Sequence, residues 1–227
     1  MVKLIFFCRR RPDITHERYV GLLLGSHVPL ALKHHPAMRK YVVNIVESCP
    51  DGWESFDSIG ELSFDNLADY RERLYDSEAG RRIIEADVRQ FMGGAHAYIT
   101  TERVQRSQSR TSRLAARSPG TKMICPVVRR AEMSHAQFVA HWQTRHVPLA
   151  LAHHPGMSGY VTNIVDDRLS TTGEALDGVA ELYFPSVEAR RGGMFDSIEG
   201  ERVIRDDMAR FIGRTAAYRV AEYVQRA

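Results

Sequence analysis

The strongest constraint on this chain is that it repeats itself. The block HVPLALKHHPAMRKYVVNIV from His27 returns as HVPLALAHHPGMSGYVTNIV from His146. About fifteen of the twenty positions are identical, far more than shared helix or strand propensity produces. The match runs ungapped from Lys3 and Lys122, then resumes after one inserted loop residue at Asp57/Asp177 and Glu61/Glu181. It continues through Gly80/Gly200, Phe91/Phe211 and Tyr98/Tyr218 to Gln105/Gln225. Between the copies lies SQSRTSRLAARSPG, whose serine, arginine, proline and glycine read as a solvated linker. The chain therefore divides into residues 1–106, a linker 107–120 and residues 121–227.

Both copies parse alike. Residues 2–8 and 121–128 are apolar and mostly branched or aromatic, the pattern of a strand. Thr15 and Ser134 are placed to cap a helix, along which Phe138, Trp142, His146, Leu149 and His153 recur at three- and four-residue spacing. Pro29 and Pro148 are expected to break or kink it, since proline has no N–H to give. Two strands follow (39–47 and 57–64; 158–166 and 177–184), then a polar helical stretch with Ile84, Val88 and Phe91, or Ile204, Met208 and Phe211, on one face. A last strand closes each copy near 95–104 and 215–224. The order β-α-β-β-α-β is the ferredoxin-like arrangement, in the α+β class. Two helices cover one face of a four-stranded sheet, so the other face needs a partner. The second copy supplies it, and the expected architecture is two fused repeats packed sheet on sheet into one barrel.

The bulk properties exclude several classes. The formal charge is only +3, and much of the basic excess (Arg106, Arg110, Arg113, Arg117) falls around the linker, so no nucleic-acid footprint is expected. No stretch approaches the roughly 18 apolar residues of a membrane span, and the short apolar start carries its arginines on the wrong side for a secretion signal. Cys8, Cys49 and Cys125 are odd in number and unpaired in spacing, which suits a reduced, cytoplasmic setting.

The residues HxPL, a downstream proline–glycine and YVxN, after a helix carrying tryptophan, resemble the EthD family of the dimeric α/β-barrel superfamily. The second copy fits best, with Trp142, His146, Pro148, Leu149, Pro155, Gly156, Tyr160 and Asn163. The first keeps His27, Pro29, Leu30, Pro36, Tyr41 and Asn44, but has Leu23 and Ala37 at the Trp142 and Gly156 positions. The resemblance covers both halves and implies an intramolecular version of the dimeric barrel. It also implies varied chemistry on small molecules: cofactor-independent oxygenases of quinol rings, polyketide cyclases, lactone isomerases, decarboxylases and dehydratases, with haem enzymes elsewhere in the superfamily.

His27 and His146 are the leading candidates for acid/base work, because neutral imidazole can take or give a proton near pH 7. A structural role is the competing reading, with each ring hydrogen-bonding a backbone carbonyl of the kinked helix. Tyr41 and Tyr160 could polarise a carbonyl or stand at a strand's rim. Glu61 and Glu181 lie mid-strand among apolar residues, where a buried carboxylate would have a raised pKa and act as a base, or would be paired. His34 and His153 fall on the same helical face as His27 and His146. With His141, Trp142, Asn44 and Asn163 they make the expected substrate-binding set. Leu22 and Leu23 replace His141 and Trp142 in the first copy, so the second is the expected active half.

No HExxH, Gly-rich phosphate loop or G-x-S-x-G elbow occurs, and neither metal nor cofactor is expected. The expected function is cofactor-free acid/base chemistry of lyase, cyclase, decarboxylase or isomerase type on a hydrophobic, aromatic or polyketide-like substrate. A cofactor-independent quinol oxygenase and a non-catalytic binder are the alternatives. No nucleic acid or membrane partner is expected, and the fused pseudo-dimer could assemble further with itself.

Overall fold

A computed structural model describes residues 1–108 and 112–227. The first half runs β1 (Val2–Arg10), α1, β2 (Met38–Ser48), β3 (Ser58–Phe64), α2 (Leu67–Arg73), α3 (Glu78–Phe91) and β4 (Met92–Arg106). The second runs β5 (Thr121–Arg129), α4, β6 (Gly159–Arg168), β7 (Gly178–Phe184), α5 (Val187–Gly193), α6 (Ile198–Phe211), β8 (Ile212–Thr215) and β9 (Tyr218–Arg226). Helix α1 is composed of His16–Leu22, Leu23–His27 and Val28–His34, and α4 of His135–His141, Trp142–His146 and Val147–His153. The hydroxyls of Thr15 and Ser134 cap these helices as expected.

Eight strands close into one antiparallel barrel. The order β4-β1-β3-β2 of the first half continues through β9-β5-β7-β6 of the second and returns to β4, with β8 as a short extension beside β5. The halves thus meet by more than their faces. Strand β2 pairs with β9, and β4 pairs with β6, so each half hydrogen-bonds the free edges of the other. Closure pairs the edges of β2, β4, β6 and β9 that either half alone would expose. Arg106 crosses to the carbonyls of Leu151 and Met157 at the end of α4, and Arg226 makes the matching bonds to Leu32 and Met38. The end of each half therefore closes the helix of the other. The later part of the linker docks on β9: Ala115 N–H and Ser118 N–H donate to the carbonyls of Val224 and Glu222, and Ser118 is buried.

Strand alternation sorts the side chains into three layers. One apolar layer lies inside the barrel, around Ile5, Phe7, Ile59, Ile124, Val179, Tyr218 and Val220. The other two lie between sheet and helices, one per half, anchored by Tyr19, Phe64 and Phe91 and by Phe138, Phe184 and Phe211. The polar stretch before each closing strand forms two helices, because Ser77 and Ser197 start a new one by capping Gly80 and Gly200.

Pro29 and Pro148 do not break the long helices. The turn before each proline widens to i→i+5, with Val28 N–H donating to Leu23 and Val147 N–H to Trp142. A π turn gives the proline ring room while the helix continues, and such turns often sit where a helix serves a site. His27 and His146 are the last residues of these turns.

Candidate active site

Each half holds a cavity between its helices and the outer face of the barrel. The second-half cavity measures about 310 Å³, and its walls include Met123, Cys125, Trp142, Tyr160, Leu182 and Met208. The first-half cavity measures about 230 Å³; Tyr41, Leu62 and Val88, the counterparts of Tyr160, Leu182 and Met208, line it together with Cys8, Tyr70 and Tyr75. One difference in shape has a visible source: the second half's closing strand is interrupted between β8 and β9, and Ala216 and Ala217 there face the cavity.

His146 and His27 line these cavities. Neither ring is held by a backbone carbonyl. Nδ1 of His146 lies 2.9 Å from Oδ2 of Asp207, and Nδ1 of His27 lies 3.0 Å from Oδ2 of Asp87. Asp207 also meets Nε2 of His141 at 2.9 Å, and Asp87 accepts from the hydroxyl of Ser26 at 2.6 Å. Burial disfavours the charge on Asp207, but the hydrogen bonds from His146 and His141 outweigh it and hold this carboxyl below its usual range. Asp87 is lowered against burial in the same way by His27 and Ser26. The two aspartates belong to the site and were missed from the sequence. The signal was there: Asp87 stands with Ile84, Val88 and Phe91 at the i, i+3, i+4, i+7 positions of α3, a carboxylate on an apolar face, and both copies keep it.

The indole N–H of Trp142 donates to the Tyr160 hydroxyl at 2.9 Å, inside the cavity wall and not at a rim. Burial pushes the Tyr160 phenol well above its ordinary value, so it is protonated at neutral pH. Burial raises the Tyr41 phenol likewise, but Leu23 there offers no indole. Gly178 makes room for Trp142, since a Cβ on it would lie 2.2 Å from the indole Cζ3. The first half has Ser58 at that place, bonded to Tyr19 at 2.7 Å. Burial pushes the Cys125 thiol up to about 12, and Cys8 likewise, so neither is a thiolate nucleophile.

Other expected residues lie elsewhere. His34 and His153 turn away from the cavities to Asp76 and Asp196, at 2.9 and 3.0 Å, and their neighbours His35 and His154 line the cavities instead. The cause is the following proline, which disfavours the helical conformation for the residue before it. His35 and His154 leave the helix at φ −112 and −111°, turning their rings inward.

Glu61, Glu181, Asn44 and Asn163 lie on the other face of the sheet, in the barrel's interior. On β3 and β7, Gly60, Leu62, Ala180 and Leu182 face the helices, so Glu61 and Glu181 point away from the cavities. There Lys3 binds Glu61 at 2.6 Å and Glu181 at 2.5 Å, while Lys122 binds Glu61 at 2.6 Å and Glu181 at 2.8 Å. Asn44 and Asn163 donate to the same two glutamates at 2.7 and 2.8 Å. Burial alone would raise Glu181, but Lys122 and Lys3 prevail and hold it far below the ordinary carboxylate range, so of the two expectations the paired carboxylate holds and the raised base does not. These four residues join the halves. Among the described residues, no group of three or more His, Cys, Asp or Glu side chains is arranged to hold a metal ion.

The EthD domain model matches this chain twice, over residues 11–95 and 130–215. The chain belongs to the EthD family. No curated protein matches it significantly. Among solved structures, an anthrone oxidase-like protein is 11% identical with a TM-score of 0.64, covering 99% of this chain and 92% of its own. A provisionally named monooxygenase from Lactobacillus acidophilus NCFM is 9% identical with a TM-score of 0.58, covering 100% and 97%. A chlorite dismutase variant from Candidatus Nitrospira defluvii is 13% identical with a TM-score of 0.55, covering 97% and 91%. At these identities the likeness is one of fold. In this EthD chain no helix among the described residues is long and apolar enough to cross a membrane.

Proposed function

We propose that the chain is a small-molecule enzyme that moves a proton to and from a hydrophobic, flat substrate, with His146 as the acid/base and Asp207 as its orienting partner. The observation that carries this reading is the 2.9 Å contact between His146 Nδ1 and Asp207 in the wall of an apolar cavity. A carboxylate on Nδ1 fixes the tautomer, directs Nε2 to the substrate and stabilises the imidazolium that forms when Nε2 accepts a proton. The dry lining strengthens each of these interactions. The protonated Tyr160 phenol, already accepting from Trp142, has its own hydrogen to give to a developing oxyanion. Enolisation, ring closure, isomerisation and decarboxylation all need this pair of functions.

A second reading draws on the anthrone oxidase-like and monooxygenase neighbours. Removing a phenolic or benzylic proton is also the first step toward reaction of an electron-rich ring with oxygen. The same dyad would serve, and oxygen would be the second substrate.

One experiment separates these readings. The purified chain is incubated in D2O with a panel of hydroxylated two- and three-ring aromatics, while label uptake and oxygen are followed together. Chain-dependent C–D formation without oxygen loss supports acid/base catalysis. Stoichiometric oxygen loss supports the oxygenase. Binding with neither signal overturns both in favour of a carrier.

A further inference from the structure

His146 shares the second-half cavity with another imidazole, His154, and His27 shares the first with His35. All four rings are tied to the protein through Nδ1. His146 and His27 meet the carboxylates of Asp207 and Asp87, at 2.9 and 3.0 Å. His35 meets the carbonyl of Leu74 at 2.9 Å, and His154 that of Met194. Carbonyls and ionised carboxylates only accept hydrogen bonds, so Nδ1 carries the proton in every ring. In the neutral form of each ring the remaining Nε2 is a lone-pair acceptor. Burial lowers the basicity of His35 and His154 although the carbonyl bonds oppose it, which favours this neutral form.

The other polar groups of the second cavity are few. The Tyr160 hydroxyl accepts from Trp142 and keeps a hydrogen to donate. The Thr215 hydroxyl is directed to the Pro126 carbonyl. The rest of the wall is aliphatic, aromatic or sulfur-bearing. An occupant therefore meets two acceptors, one donor and apolar surface.

Resting on the acid/base reading above, we propose that the substrate is a hydroxylated aromatic that donates hydrogen bonds from two hydroxyls, one to His146 Nε2 and one to His154 Nε2. His154 is the positioning residue of this pair: it fixes the ring so that one particular proton faces the dyad. A hydrocarbon of the same shape would leave both nitrogens desolvated and unpaired. A quinone would set its carbonyl lone pairs against theirs. Sites built around a substrate's hydroxyl reject analogues lacking it far more strongly than apolar sites reject a missing methylene. The same device in both halves, each on a pre-proline histidine, marks it as part of the duplicated design.

The test is equilibrium dialysis of the full chain against naphthalene, 1-naphthol, the 1,3- and 1,5-dihydroxynaphthalenes and 1,4-naphthoquinone, which share one skeleton. At least one dihydroxy isomer should bind about tenfold or more tighter than naphthalene, with 1-naphthol between and the quinone weakest. A chain carrying His154→Leu and His35→Leu should bind 1-naphthol and the dihydroxy isomers alike. Naphthalene or the quinone binding the wild-type chain within about threefold of both diols would overturn the proposal, whether or not the variant folds. So would a folded double variant that keeps the full diol preference. Binding is read here without turnover: a flat series beside a catalytically essential His146 would remove this inference and leave the acid/base reading standing.

Discussion

Asp207 holds two imidazoles at once, with Oδ2 at 2.9 Å from Nδ1 of His146 and Oδ1 at 2.9 Å from Nε2 of His141. Its counterpart Asp87 holds His27 and a serine hydroxyl. Each carboxylate comes from the helix before the closing strand and reaches the end of a π turn on the long helix. The dyad is therefore a tertiary feature, assembled by packing the two helices of one half together.

An amide in place of Asp207 can offer either its oxygen or its NH2 to His146, and the wrong choice selects the wrong tautomer. Asp207→Asn should lower turnover by about 10²–10⁴, close to the loss for His146→Gln, with little change in KM. Steady-state kinetics of both variants on one substrate checks this. An Asp207→Asn protein of undiminished turnover would reduce Asp207 to packing.

The indole of Trp142 occupies space that exists because position 178 is glycine. Gly178→Ala should cost on the order of 1–3 kcal/mol by overpacking. Adding Trp142→Leu, which puts the Leu23 side chain of the first half in place of the indole, should recover part of that loss. The coupling is read from thermal or denaturant melts of the two single variants and the double variant. Additive losses would show that the two residues do not constrain each other.

Much of the fold was legible because duplication doubles every signal. The strands, the helix caps at Thr15 and Ser134, and the need for each sheet to cover the other all follow from patterns present twice. The edge pairing of β2 with β9 and β4 with β6 was not legible, since local patterning says nothing about which edges meet. At the site, His27 and His146 stood out by residue type, and Trp142 and Tyr160 fell in the same cavity. Glu61 and Asn44 face the barrel interior by strand parity: Gly60 and Leu62 on β3 and Tyr41 and Val43 on β2 face the helices, so the residues between and beside them cannot. His34 was preferred over His35 because an ideal helix was extended one residue past the point where Pro36 ends it.

The barrel interior sets two lysines among three buried glutamates, Glu61, Glu181 and Glu222, and Lys3 also reaches the more exposed Glu102. Lys122→Met removes the cation that Glu61, Glu181 and Glu222 share and should destabilise the chain by about 3–5 kcal/mol. Glu181 titrates lower in the folded chain than in the unfolded one, so below its ordinary range the unfolded state binds the extra proton. Its contribution is full above about pH 5 and is lost as pH falls toward the folded value. Melts between pH 7 and pH 3 should show falling stability, with a weaker dependence in Glu181→Gln. An equal acid dependence in that variant would place the sensitivity elsewhere.

Residues 1–106 alone would expose the edges of β2 and β4 and half of the barrel interior. That fragment should dimerise or aggregate, as measured by sedimentation. A stable soluble monomer would contradict the claim that the second copy is needed to finish the fold.

The most direct test of the dyad is deuterium uptake from D2O at the exchangeable ring carbons of 1,3-dihydroxynaphthalene, followed by NMR. A His27→Gln background removes any contribution from the first half. The account predicts chain-catalysed exchange in that background and a further fall of about 10²-fold or more when His146→Gln is added, with the fold retained by circular dichroism. Exchange that continues at the same rate in the folded double variant would contradict it.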